Sequence, residues 1–101
     1  MFGRDQSSEE YQKVFQFALH KILLHCYNNC DDSLKVSLKD KMAQEITSFN
    51  PTQVESLIKY LKHGGYITNY NKHEQYRTHE PDEITHEFTL GFRSIDLIER
   101  L

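Results

Sequence analysis

The chain has 101 residues, the length of one domain. A domain of that size hides only about 60–65% of the surface its unfolded chain exposes, so its core is thin and open to completion by a partner. Its formal net charge of −3 argues against nucleic acid as the main partner, since nucleic-acid-binding domains usually carry a basic surplus. No apolar run approaches the ~20 residues of a membrane span and MFGRDQSSEE lacks a hydrophobic signal region, so an intracellular, soluble chain is expected.

Residues 1–7 read as a disordered lead. Ser7-Ser8-Glu9-Glu10 then offers a capping box, a hydroxyl with a Glu three positions on, to open a first helix that runs to about Tyr27. Its apolar positions Tyr11, Val14, Phe15, Ala18, Leu19, Ile22, Leu23 and Cys26 recur at three and four, which predicts one wide core-facing stripe. Asn28 to Ser33 is a turn cluster. Leu34-Lys35-Val36 alternates as a short strand, and Ser37 with Asp40 suggests the next N-cap. Leu38, Met42 and Ile46 would then share one side of a short second helix.

Asn50 to Gly65, NPTQVESLIKYLKHGG, carries the densest local code. Asn50 is a strong N-cap, Pro51 suits the first helical position and Gln53 closes a box, with Phe49 before it as a hydrophobic staple. Val54, Leu57, Ile58 and Leu61 form the buried stripe. Gly64 or Gly65 supplies a left-handed stop, and Tyr66 to Tyr70 continues as a strand. Ile84, His86, Phe88 and Leu90 alternate with Thr85, Glu87 and Thr89 as the antiparallel return. The connection between them is expected as a long mobile acidic wing loop, 69–83. Gly91-Phe92-Arg93 leads into a last helix with Ile95, Ile98 and Leu101.

The order is helix, strand, helix, helix, strand, strand, helix. A capped third helix that halts at a double glycine and drops into a hairpin resembles a winged-helix domain. The expected fold is therefore α+β, a three-helix core with a small antiparallel wing over residues 8–101.

In a DNA-reading winged helix the exposed face of the third helix enters the major groove. Here that face holds Thr52, Ser56, Lys59 and His63, flanked by Tyr60 and Lys62, with one glutamate (Glu55) and no arginine, the usual bidentate reader of guanine. From Tyr66 to Phe88, Lys72 and Arg77 face five acids (Glu74, Glu80, Asp82, Glu83, Glu87), a balance of −3 that phosphates would repel. A solvated or protein-binding surface is the leading reading. Nucleic-acid binding through Ser56, Lys59, Lys62 and His63 is the alternative.

Cys26 and Cys30 imply neither a disulfide framework nor a zinc knuckle, because no paired CxxC is present. Cys26 is expected in the core and Cys30 in a turn, with the histidines as surface or partner contacts. No cofactor, metal or small-molecule substrate is expected. Neither a nucleophile elbow nor a Gly-rich phosphate loop occurs, so the chain reads as a non-enzyme.

The segment Phe88-Thr89-Leu90-Gly91-Phe92-Arg93-Ser94-Ile95 resembles the strand-to-helix segment of the second winged helix in the RING-bearing non-SMC subunit of the Smc five–six complex. The likeness in element order extends over residues 9–101, with a longer acidic wing here. In that family the winged helices pack on a MAGE-like sister subunit. The resemblance implies a nuclear, chromatin or genome-maintenance subunit that pairs through Phe92, Arg93, Ile95, Ile98 and Leu101, with Arg93 an orienting residue that bonds helix-end carbonyls or an acidic side chain. The family's RING is absent from this sequence, so its ligase activity does not carry over. The expected function is a non-catalytic protein–protein interaction module within a hetero-oligomer.

Overall fold

The computed structural model describes residues 2–76 and 81–100, with side chains described for 10–75 and 83–100. Among them, the elements are α1 (Phe2–Asn28), β1 (Lys35–Lys39), α2 (Asp40–Thr47), α3 (Pro51–His63), β2 (Ile67–Tyr76), β3 (Pro81–Leu90) and α4 (Phe92–Glu99). This is the order read from the sequence. The strands form one antiparallel sheet, ordered β1-β3-β2, and the helices pack around it as an α+β domain. No helix among the described residues is long and apolar enough to cross a membrane.

Ala18, Leu19, Ile22, Leu23 and Cys26 of α1 are buried, and Phe15 packs against the core edge. Tyr11 and Val14, expected in the same stripe, stand exposed. The helix begins at Phe2, so it takes in the stretch assigned to a disordered lead and places Ser7 inside a helix rather than at its cap. Once residues 15–26 are packed, each further residue adds a backbone bond without a new nucleus.

After α1, the Asp31 carboxylate accepts from the backbone N–H groups of Ser33 (2.8 Å) and Lys35 (2.9 Å), which closes the turn. Strand β1 then alternates outward and inward through Lys39. Ser37 is therefore an outward strand residue and not an N-cap. Helix α2 starts at Asp40 and buries Asp40, Ala43 and Thr47, while Met42 is exposed. The expected Leu38–Met42–Ile46 stripe fails because Leu38 belongs to the strand. A buried polar bond from Asp40 also sets the rotation of the helix.

Helix α3 follows its code closely. The Asn50 side chain accepts from the Gln53 N–H (2.8 Å) and the Gln53 side chain accepts from the Asn50 N–H (3.0 Å). Val54, Leu57, Ile58 and Leu61 are buried, and Phe49 is buried against the ring of Phe15. Gly65 takes φ 76°, the left-handed stop, whereas Gly64 stays right-handed. Tyr66 N–H returns to the Leu61 carbonyl (2.9 Å) and the chain enters β2.

The expected loop over 69–83 is instead mostly strand. Strands β2 and β3 pair from Ile67↔Leu90 to Tyr76↔Pro81, with a register shift between Thr68 and Asn71 where Asn69 has φ 53°. Residues 77–80 of that loop lie outside the described residues. The strands were hidden in the sequence because their outer half is polar on both faces and lacks the alternation that marks a half-buried strand.

Candidate interaction surface

Three parts of the surface bear on function. The first is the start of α4. Gly91 N–H donates to the Tyr66 carbonyl (2.8 Å), and its α-carbon lies so close to the Gly65 carbonyl that a side chain would collide with backbone. Arg93 Nη1 donates to the Gly64 carbonyl (2.7 Å) at the end of α3, with the guanidinium 4.8 Å from the centre of the Tyr66 ring. Ser94, fully buried, donates its hydroxyl to the Tyr66 carbonyl. Arg93 thus orients α4 through a helix-end carbonyl. Ile95 and Ile98 are half-buried, packed with Leu97 against the core, so they are only partly available to a partner. Phe92 differs: it is 92% exposed on a backbone pinned at both neighbours. Leu101 lies outside the described residues.

The second part is the outer face of α3. Ser56 donates its hydroxyl to the Thr52 carbonyl one turn back, which turns it toward its own helix. Lys59 lies 3.9 Å from Glu55, a long and solvent-exposed pair. The Lys62 ammonium stands 4.7 Å over the ring of Tyr70 in β2. His63 is exposed in the last turn. Lys59 and Lys62 line a cavity of about 280 Å³ between α3 and the hairpin, together with Lys72, Tyr70 and His86.

The floor of that cavity is a polar network that sequence reasoning missed. His86, expected among surface or partner contacts, is buried. Its Nε2 lies 2.7 Å from the Asp40 carboxylate and its Nδ1 2.7 Å from the Tyr70 hydroxyl. A carboxylate only accepts, so Nε2 carries a proton. In a neutral ring Nδ1 then accepts from the Tyr70 hydroxyl. Burial, followed by the charges of Asp40 and Glu55, pushes the Tyr70 pKa above its ordinary value and keeps that proton in place. Asp40 also accepts from the Gln44 amide (2.8 Å), so α2, β2 and β3 meet at one hydrogen-bonded point. The signal was present in the sequence. His86 occupies an inward position between Ile84 and Phe88, and a buried imidazole requires partners.

Among the described residues, no group of three or more His, Cys, Asp or Glu side chains is arranged to hold a metal ion. Cys26 is buried in the core, and Cys30 is half-buried with its thiol directed at the Tyr27 carbonyl (3.2 Å). Three acids of the hairpin have a lysine or imidazole neighbour. Lys39 meets Glu83 (2.8 Å), Lys72 meets Glu74 (3.2 Å), and His73 lies 3.3 Å from Glu87. Comparison with protein-family models, curated proteins and solved structures finds no match.

Proposed function

We propose that the chain is a non-catalytic winged-helix module that docks on another protein subunit through the exposed start of α4. Support for the winged-helix reading comes from the element order and from a capped α3 that leads straight into the β2–β3 hairpin. The observation that carries the docking reading is Phe92. A large aromatic held almost wholly in water, on backbone fixed by Gly91, Arg93 and Ser94, is a preformed anchor of the kind that dominates protein interfaces. The assignment to a nuclear, Smc five–six-like genome-maintenance complex rests on the FTLGFR resemblance. Most of that motif has intramolecular work: Phe88 and Leu90 are core, Gly91 makes the close approach and Arg93 caps α3. Phe92 is the member left for a partner.

The test is affinity capture with the intact chain, with mass spectrometry naming the bound proteins. Phe92→Asp should lose the specific partner while leaving the circular dichroism spectrum unchanged. Equal capture by the variant removes the proposal.

One observation favours nucleic acid as a second reading. Lys59, Lys62 and Lys72 outnumber Asp40 and Glu55 around one cavity beside α3. On this reading, affinity for duplex DNA falls steeply with salt and is lost in Lys59→Glu and Lys62→Glu. Salt-insensitive or absent binding leaves the protein-docking reading alone.

A further inference from the structure

The cavity between α3 and the hairpin has a bottom and a rim of opposite character. At the bottom, Asp40 is 9% exposed and His86 4%, and the half-buried Tyr70 completes their chain. Both polar hydrogens of that chain are spent within it: Nε2–H of His86 on Asp40, and the Tyr70 hydroxyl on Nδ1. What the bottom still offers is lone pairs. A carboxylate has about four acceptor sites, and Asp40 uses one each on His86 and Gln44. The Tyr70 oxygen donates its proton to His86 and keeps its own acceptor capacity. An occupant therefore has to bring N–H or O–H groups to this end.

The rim calls for negative charge. The side chains of Lys59 and Lys72 are 67% and 44% exposed, and Lys62 is exposed beside them. Lys59 has Glu55 at 3.9 Å and Lys72 has Glu74 at 3.2 Å, solvent-exposed pairs that hold a lysine only weakly. Each ammonium group is thus able to turn to a phosphate. Between the two ends, Pro51, Ile58 and Ile84 supply apolar wall. The space is about 280 Å³, at the small end for a ligand site, which suits one ring system with one phosphate. A flat body with apolar faces, donors at one end and a phosphate at the other describes a nucleotide.

We propose that this cavity binds a nucleoside monophosphate whose base bears an exocyclic amine, with the amine inward at Asp40 and Tyr70 and the phosphate outward at Lys59, Lys62 and Lys72. The site shares no residue with the α4 docking surface and stands apart from that reading. It shares lysines with the duplex reading but needs a base as well as a phosphate. Isothermal titration calorimetry of the intact chain with cytidine and uridine monophosphates tests it, because an amine in the first is a carbonyl oxygen in the second. Cytidine monophosphate should bind with a dissociation constant on the order of 100 μM. Uridine monophosphate should bind at least about tenfold more weakly, because its oxygen meets acceptors at the bottom. Lys72→Ala should weaken the nucleotide and leave cytidine itself unchanged. Asp40→Asn should narrow the gap between the two nucleotides, with circular dichroism separating lost binding from lost fold. No binding of cytidine monophosphate at millimolar concentration overturns the proposal. So does equal affinity for the two nucleotides, or inorganic phosphate that binds as tightly as either. Duplex DNA that binds with steep salt dependence while neither nucleotide does also overturns it, and leaves the duplex reading standing.

Discussion

His86 shows how one side chain can hold three elements. Removing it leaves the Asp40 carboxylate and the Tyr70 hydroxyl without their shared partner in a largely buried place. His86→Ala should therefore lower unfolding stability by about 2 kcal/mol, the scale of buried polar groups left without a hydrogen-bond partner. Asp40→Asn should cost less, because an amide oxygen still accepts from Nε2. Urea unfolding of the two variants checks the order. Cys26 makes a different residue-scale prediction. Burial, with a smaller contribution from Cys30, pushes its pKa from 9.0 up to about 12. The folded state therefore keeps a proton that the unfolded state releases. The resulting stability is complete below pH 9 and declines as pH rises toward 12, by at most about 1.4 kcal/mol per pH unit. The stability gap between wild type and Cys26→Ala should narrow between pH 8 and pH 10.5. At pH 8 an alkylating reagent should modify Cys30 well before Cys26.

At the scale of elements, what could be read in advance depended on whether the information was local. Helix α3 was legible almost to the residue because Asn50, Pro51, Gln53 and Gly65 each act on backbone within a few positions. The core stripe of α1 was legible from Phe15 to Cys26 for the same reason. The hairpin was not, because residues such as Asn71, Lys72, Glu74 and Gln75 reach strand geometry through pairing with β3 rather than through any pattern of their own. The start of α2 was misplaced because Ser37 and Asp40 imitate a cap, while the true constraint on Asp40 lies 46 positions away at His86. At the candidate site, the sequence left Arg93 a choice between helix-end carbonyls and an acidic side chain, and the His86 network depends on long-range pairing. Helix α2 also ends on a correctable defect. Ser48 sits at its C-cap with φ 61°, a conformation that costs a side-chain-bearing residue about 1 kcal/mol. Ser48→Gly should gain about 0.5–1 kcal/mol, read as a higher thermal midpoint.

At the scale of the whole molecule, α1 and the β2–β3 hairpin extend beyond the packed body. The radius of gyration is 14.6 Å, against about 13 Å for a compact chain of this length. The core draws on the sheet and on α1 to α3, while α4 packs Ile95, Leu97 and Ile98 at its edge and is held at its start where Gly91 meets Gly65 and Tyr66 and where Arg93 reaches Gly64. That attachment gives the last helix a role in timing. The Gly91 N–H, the Arg93 guanidinium and the Ser94 hydroxyl donate to carbonyls at and just past the end of α3, so α4 is expected to open before the body it rests on. In native-state hydrogen exchange, the amides of Gly91, Ser94 and Ile95 should lose protection together, at a lower free energy than those of Leu57 and Leu61. An event that lifts α4 would bare the buried Ser94 and the aromatic face of Tyr66, a concealed surface next to the one that Phe92 already advertises.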